Sequence, residues 1–204
     1  MQPFESFTGI AAPLRISNLD TDVMIRIERL TALSRNALGP YAFEALRYRS
    51  DGSENPEFVL NQPQFRGARI LVAGENFGCG SSREAAVWAL LGCGIQCVIA
   101  ASFGDLFYGN CMQNGLLAAR TRAAEIPRLV DLAGQAKPFM IDLQRQCIRV
   151  GEEAVAFDID QVHKHALLAG VDPLGVTLRS MASIRSWQTK DMAERPWAWP
   201  TEGR

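Results

Sequence analysis

The residues with the clearest capacity for chemistry are Gly74-Glu75-Asn76-Phe77-Gly78-Cys79-Gly80-Ser81-Ser82-Arg83-Glu84, which crowd three glycines, two hydroxyls and one guanidinium together. That combination suits the holding of an anion. Glycines let the main chain take positive φ and let a ligand approach it closely. Free amide N–H groups and the dipole at a helix start attract a carboxylate or phosphate. Arg83 can grip a carboxylate with two parallel hydrogen bonds. A cation in a first helical turn is unfavourable by dipole logic alone, so its presence points to a negative ligand. The spelling Ser81-Ser82-Arg83-Glu84 also fits a capping box with Ser81 or Ser82 as N-cap, and a capped helix start without chemistry accounts for the serines by itself. Other anion loops fit less well. The Gly-Lys-Ser/Thr ending of a P-loop is missing, as are the third glycine of a dinucleotide fingerprint and the Gly-x-Ser-x-Gly elbow of a hydrolase.

The elements that must position this loop follow from apolar patterning. Arg69 to Ala73 reads as a buried strand leading into it, and Glu84 to Leu91 as a helix leading out. Phe7 to Leu14 is a first strand, followed by a turn marked by Asn18, Asp20 and Asp22 and by the alternating segment Val23 to Glu28. Ala42 to Tyr48 is helical. Asp51 to Pro63 is a polar, proline-punctuated loop, a candidate lid or partner-facing segment. Gly94 to Ala100 is a second buried strand, Ser102-Phe103-Gly104-Asp105 repeats the cap spelling before a helix ending near Gly115, and Leu116 to Ala119 is a third strand. This strand-helix-strand-helix-strand order predicts an α/β, largely parallel sheet with the loop at a carboxyl end, where ligands bind. Phe139 to Leu143, Cys147 to Val150 and Ala154 to Ile159 then read as antiparallel strands, and Asp160 caps a helix running to Gly170. From Arg179 the tail carries Trp187, Trp197 and Trp199 with little core-forming periodicity, as expected of an irregular segment that is either packed on the domain or on another subunit or poorly ordered.

The 204 residues, 48% of them hydrophobic, suffice for one substantial core. A formal charge of −1 and no basic cluster argue against a nucleic-acid partner. Met1 to Ser6 lacks the pattern of a signal peptide, no apolar run is long enough to span a bilayer, and five scattered cysteines fit reduced thiols, so a cytoplasmic location without membrane contact is expected. Cys93 and Cys97 flank a strand pattern, and His163 and His165 stand far from them in sequence, so no metal is expected on this chain alone. At i and i+2 the two histidines do not share a helix face, and structural hydrogen bonding is their expected role.

Taken in order, Asn18-Leu19-Asp20-Thr21-Asp22, the glycine-rich loop and Ala101-Ser102-Phe103-Gly104-Asp105-Leu106-Phe107-Tyr108-Gly109-Asn110-Cys111 resemble the small subunit of 3-isopropylmalate dehydratase (isopropylmalate isomerase). The likeness keeps its order from about Phe7 to Leu178. It implies the aconitase swivel domain, a three-layer β/β/α arrangement with a mixed sheet, over residues 1–178, with 179–204 as a C-terminal extension. It also implies a large subunit that holds a [4Fe-4S] cluster through its own cysteines, this chain holding none of it. The implied reaction is dehydration and rehydration of a small hydroxy-dicarboxylate. An open iron site acts as Lewis acid on the leaving hydroxyl, while a base removes a proton from the carbon next to a carboxylate. By resemblance that base is Ser81 working as an alkoxide, with Ser82 and Arg83 binding substrate and Asp22 lining the pocket in an orienting role. An ordinary serine is too weakly acidic for this, so backbone N–H groups, the helix terminus and Arg83 must stabilise the charge. The chain departs from the family's usual His-Ala-Pro-Trp at Ala85-Ala86-Val87-Trp88, and from Ile-Ile-Pro at Met24-Ile25-Arg26. Arg26 could read a second carboxylate or stand as a solvated polar position. Two alternatives accompany this reading: a paralogous hydratase for citraconate, dimethylmaleate or a similar diacid, and a non-catalytic partner that stabilises or regulates a large subunit. A stand-alone anion-binding module is the third class.

Overall fold

In the computed structural model, residues 2–200 are described. The strands are β1 (Phe7–Leu14), β2 (Ile70–Ala73), β3 (Cys97–Ala100), β4 (Leu117–Arg120), β5 (Pro138–Asp142), β6 (Cys147–Val150) and β7 (Glu153–Ala156). The helices are α1 (Thr21–Met24), α2 (Ile27–Ala32), α3 (Glu44–Arg47), α4 (Glu84–Gly92), α5 (Asp105–Asn114), α6 (Ile126–Gly134), α7 (Gln161–Ala169), α8 (Pro173–Arg179) and α9 (Met181–Glu194). Every residue of β2 and β3 is buried, as continuous apolar strands of a covered parallel sheet must be.

One seven-stranded sheet runs in the order β4-β3-β2-β1-β5-β6-β7. Strand β1 joins its two arms. Ala11 to Leu14 pair in parallel with Ile70 to Ala73, whereas Phe7 to Ile10 pair antiparallel with Pro138 to Ile141 on the other edge. The parallel arm continues through β3 and β4, and the antiparallel arm through β6 and β7. Helix α6 lies on β1 and β2, while α4 packs against α5 and α1. Among the described residues no helix is long and apolar enough to cross a membrane.

The structure departs from the sequence reading in four places. The alternation from Val23 to Glu28 does not continue through one element: the segment is divided between α1 and α2 with Ile25 and Arg26 extended between them, because the Asp20 carboxylate caps α1 by accepting from the Asp22 amide, and because adjacent Met24 and Ile25 are both fully buried. Within the described residues the tail is mostly helical, since α9 is a helix whose C-terminal end is closed by Asp191, which accepts from Arg195 Nε (2.8 Å) and Trp199 Nε1 (2.9 Å), and residues 201–204 of the expected extension lie outside the described residues. Helix α6 went unread in sequence, although Leu129, Val130, Leu132 and Ala133 form its buried face. Among the described residues the expected ring hydrogen bonds of the histidines are not found. His163 packs edge-on against Tyr108 at 5.8 Å, its buried Nδ1 makes no hydrogen bond, and His165 is exposed. The Asp51 to Pro63 segment is loop as expected, yet it is tied down by buried Asn61, which donates to the carbonyls of Arg47 (2.7 Å) and Asn55 (2.9 Å).

Candidate active site

At the carboxyl end of the parallel arm, the loops after β1, β2 and β3 continue the order of their strands. The loop after β2 is the middle one. On one side Asn18 N donates to Glu75 O (2.9 Å), Gly78 N to Leu19 O (2.8 Å) and Thr21 N to Cys79 O (3.1 Å). On the other, Phe77 N donates to Ser102 O (3.1 Å), Gly104 N to Phe77 O (3.0 Å), and Asn76 N to Ser102 Oγ (2.8 Å). Phe77, fully buried, meets Phe103 and Phe107 edge-on and pins the loop to α5. Gly78 must be glycine here, since a Cβ would fall 2.2 Å from Phe107 Cγ.

Past Gly80 the chain turns outward. The Ser81 carbonyl accepts from Thr21 Oγ1 (2.8 Å) and from the Arg83 amide (2.9 Å), which fixes the backbone and leaves the side chains of Ser81 and Ser82 exposed. The expected serine cap is therefore absent. Arg83, in extended conformation, is the N-cap of α4 and no side chain caps that helix. The second cap spelling fails likewise: Gly104 is the N-cap of α5, and Ser102 uses its hydroxyl on Asn76.

Arg83 is turned back under the loop, with its side chain only 17% exposed. Its Nη1 pairs with Asp22 Oδ1 at 2.7 Å and donates to Ile25 O at 3.4 Å. Asp22 is itself held by the bond from its amide to Asp20 Oδ1 (2.7 Å). The structure thus brings Ser81, Ser82, Arg83 and Asp22 together. Arg26 is not joined to them: it is exposed, it precedes α2, and among the described residues no hydrogen bond or ion pair links its side chain to this cluster. Its charge instead acts on Glu44.

Beside Ser82 and Arg83 opens a cavity of about 270 Å³ lined by Leu30, Leu33, Leu38, Ala85 and Trp88, with Arg35 and Glu84. Its apolar wall comes from α2, the turn that follows it and α4. Sequence reasoning missed Thr21, Asp20 and Asn114 as supports of this site. Thr21 stands in the noted Asn-Leu-Asp-Thr-Asp element, but its partner lies 60 positions away in the chain, so no local spacing signals the bond. Among the described residues no three His, Cys, Asp or Glu side chains converge as metal ligands. Cys79 is the site's one thiol, and burial pushes the thiols of Cys97 and Cys111 up, away from the thiolate form that binds metal. Among the described residues the side chains do not fit an iron–sulfur cluster.

The sequence matches the aconitase C-terminal domain model over residues 1–124. It is 50% identical over 201 residues to the 3-isopropylmalate dehydratase small subunit of Rhodopseudomonas palustris strain TIE-1, covering 97% of this chain and 100% of that one. The corresponding subunit of Brucella canis is 46% identical over the same shares. The crystal structure of 3-isopropylmalate dehydratase from Methanocaldococcus jannaschii is similar with a TM-score of 0.67 at 26% identity, over 90% of this chain and 99% of that one. The swivel fold with a mixed sheet, expected from the resemblance, is what these matches and the strand order show. The chain belongs to the 3-isopropylmalate dehydratase small-subunit family, built on the aconitase C-terminal domain.

Proposed function

We propose that this chain is the cytoplasmic small subunit of a 3-isopropylmalate dehydratase, supplying one wall of an active site that a large subunit completes, and serving leucine biosynthesis by interconverting 2- and 3-isopropylmalate. The observation that carries this reading is an exposed Ser81 on a turn fixed by Thr21, two residues before an Arg83 whose guanidinium is braced by Asp22.

Ser81 takes the proton from the carbon next to a substrate carboxylate and returns it on rehydration. Its alkoxide needs nearby positive charge, which Arg83 and the start of α4 supply. Arg83 uses Nη1 for Asp22 and Ile25, while its Nη2 and Nε carry no hydrogen bond among the described residues and are free for a substrate carboxylate. Asp22 fixes the plane of that guanidinium, and Ser82 offers a further hydroxyl to the substrate. A [4Fe-4S] cluster on the large subunit supplies the Lewis acid for the hydroxyl that leaves. The apolar cavity wall of Leu30, Leu33, Leu38, Ala85 and Trp88 suits an alkyl substituent on the diacid.

The test is Ser81→Ala in the complex reconstituted with its large subunit under anaerobic conditions. Turnover of 2-isopropylmalate is expected to fall about 10²–10⁴-fold, the usual worth of a general base, with assembly unchanged by size-exclusion chromatography. Full activity in that variant refutes the role of Ser81. Citraconate and dimethylmaleate belong in the same assay, because the apolar wall would also accept their methyl groups.

A further inference from the structure

Asn114 is the last residue of α5, immediately before Gly115 takes a left-handed φ of 86° and ends the helix. Its side chain makes four hydrogen bonds. Oδ1 accepts from Trp88 Nε1 (2.9 Å) and Arg35 Nη2 (2.9 Å), and Nδ2 donates to Glu84 Oε1 (2.7 Å) and Asn110 O (2.9 Å). That fills the capacity of a primary amide, with two acceptor and two donor sites. It also settles the amide's orientation, since a flip would set its NH₂ against two donors and its oxygen against two acceptors. Trp88 and Arg35 are further joined by the guanidinium lying over the indole at 4.9 Å.

The three side-chain partners, Arg35, Glu84 and Trp88, all line the cavity beside Ser82 and Arg83, while Asn114 stands behind them and does not line it. We propose that Asn114 is a positioning residue of the dehydratase site, holding the Glu84 carboxylate off the neighbouring Arg83 so that this guanidinium stays open to substrate. Glu84 follows Arg83 directly in the chain, and a released carboxylate there would compete with the substrate for the same N–H groups. Anchored on the Asn114 amide, it faces α5 instead, and Arg83 is left with Asp22 alone as its acidic partner among the described residues. Arg35 is meanwhile held by a neutral acceptor and a ring, and among the described residues it forms no ion pair.

The inference rests on Ser81–Arg83 being the active site, and the experiment separates the two. In the reconstituted complex, Asn114→Asp removes both donors and sets a carboxylate against Glu84. The kcat/KM for 2-isopropylmalate is expected to fall by about tenfold or more, mostly through KM, the size of one or two part-buried hydrogen bonds. When Asn114→Asp is combined with Glu84→Gln, the new amide at position 84 donates to the new carboxylate at position 114. The bond re-forms in reverse, so kcat/KM recovers to near that of Glu84→Gln alone. In the full isolated chain, amide exchange at Arg83 to Ala86 should quicken in the single variant and slow again in the double. Wild-type kcat/KM in Asn114→Asp, or a double variant no better than the single, overturns the proposal. An active Ser81→Ala complex would instead overturn the reading of the site, and the exchange measurement would still judge Asn114.

Discussion

Gly80 stands at φ 86°, where the loop passes over Asp20, and a Cβ there would lie 2.2 Å from Asp20 Oδ2. Both the conformation and the space demand glycine. The carboxylate it touches caps α1 and holds the Asp22 amide, so a side chain at position 80 would disturb the group that braces Arg83. Gly80→Ala is therefore expected to destabilise the chain by about 1–3 kcal/mol, the usual cost of a non-glycine residue forced into a rare backbone region. It should also lower turnover in the complex. Urea unfolding of the isolated chain and kcat of the complex measure the two effects, and unchanged values for both would show that the loop relaxes freely. At this scale the grouping of Ser81, Ser82 and Arg83 on a glycine-rich strand-to-helix turn was legible, because strand, glycines and helix start are local signals, while their proposed roles rest on the family resemblance. The serine cap was misread for the same local reason. Its spelling is right, but Thr21 and Arg83 bind the Ser81 carbonyl and turn both hydroxyls outward.

Short helix α2 carries part of the apolar side of the cavity and is tied to α3 by the Arg29–Glu44 ion pair, in which Arg29 also lies over the Tyr41 ring at 4.2 Å. The hydrogen bonds from Arg29 hold the Glu44 carboxyl below its ordinary range. A carboxyl depressed in the folded state adds stability above its unfolded pKa, about 4.3, and loses it as the pH falls through the lower folded value. Glu44→Gln is thus expected to be less stable than the parent at pH 7, with the difference closing below about pH 4. Thermal unfolding of both chains from pH 3 to 7 follows this, and a difference independent of pH would remove the ion pair as its cause. The strands β2, β3, β6 and the helix α7 were legible because burial on both faces, hairpin turns and an Asp160 cap are local signals. Helices α1 and α2 were not. Four and six residues are too few to separate a 3.6-residue period from alternation, and tertiary burial of Met24 and Ile25 decides the matter.

Across the whole chain the sequence order foretold a parallel arm and an antiparallel arm, but not the strand that joins them. Pairing of Phe7 with Ile141 spans most of the chain, and nothing near either residue announces it. The same lack of local signal hid the character of the C-terminal end. Among the described residues the buried hydrophobic core runs from Ala11 to Leu167, with only partly buried Leu168 packed on it beyond that point. Past that point Leu174, Val176, Leu178, Trp187, Met192 and Trp197 are exposed, six of the nine large exposed hydrophobics among the described residues. The polar and aromatic contacts of α9 close on its own end: Asp191 with Arg195 and Trp199, and Trp187 with Trp199 at 6.3 Å. A segment held together this way adds little to the body it follows, because stability of the body comes from apolar area buried in its own core. The expected boundary between residues 178 and 179 falls at the last residue of α8, so a fair truncation ends at Ser180 and keeps that helix whole. Such a chain is expected to unfold within about 2 °C of the full one, below the shift that 1 kcal/mol produces in a protein of this size. Thermal unfolding followed by circular dichroism decides it. A drop of about 5 °C or more, well over 1 kcal/mol, would mean that α9 is part of the swivel domain and not an extension of it.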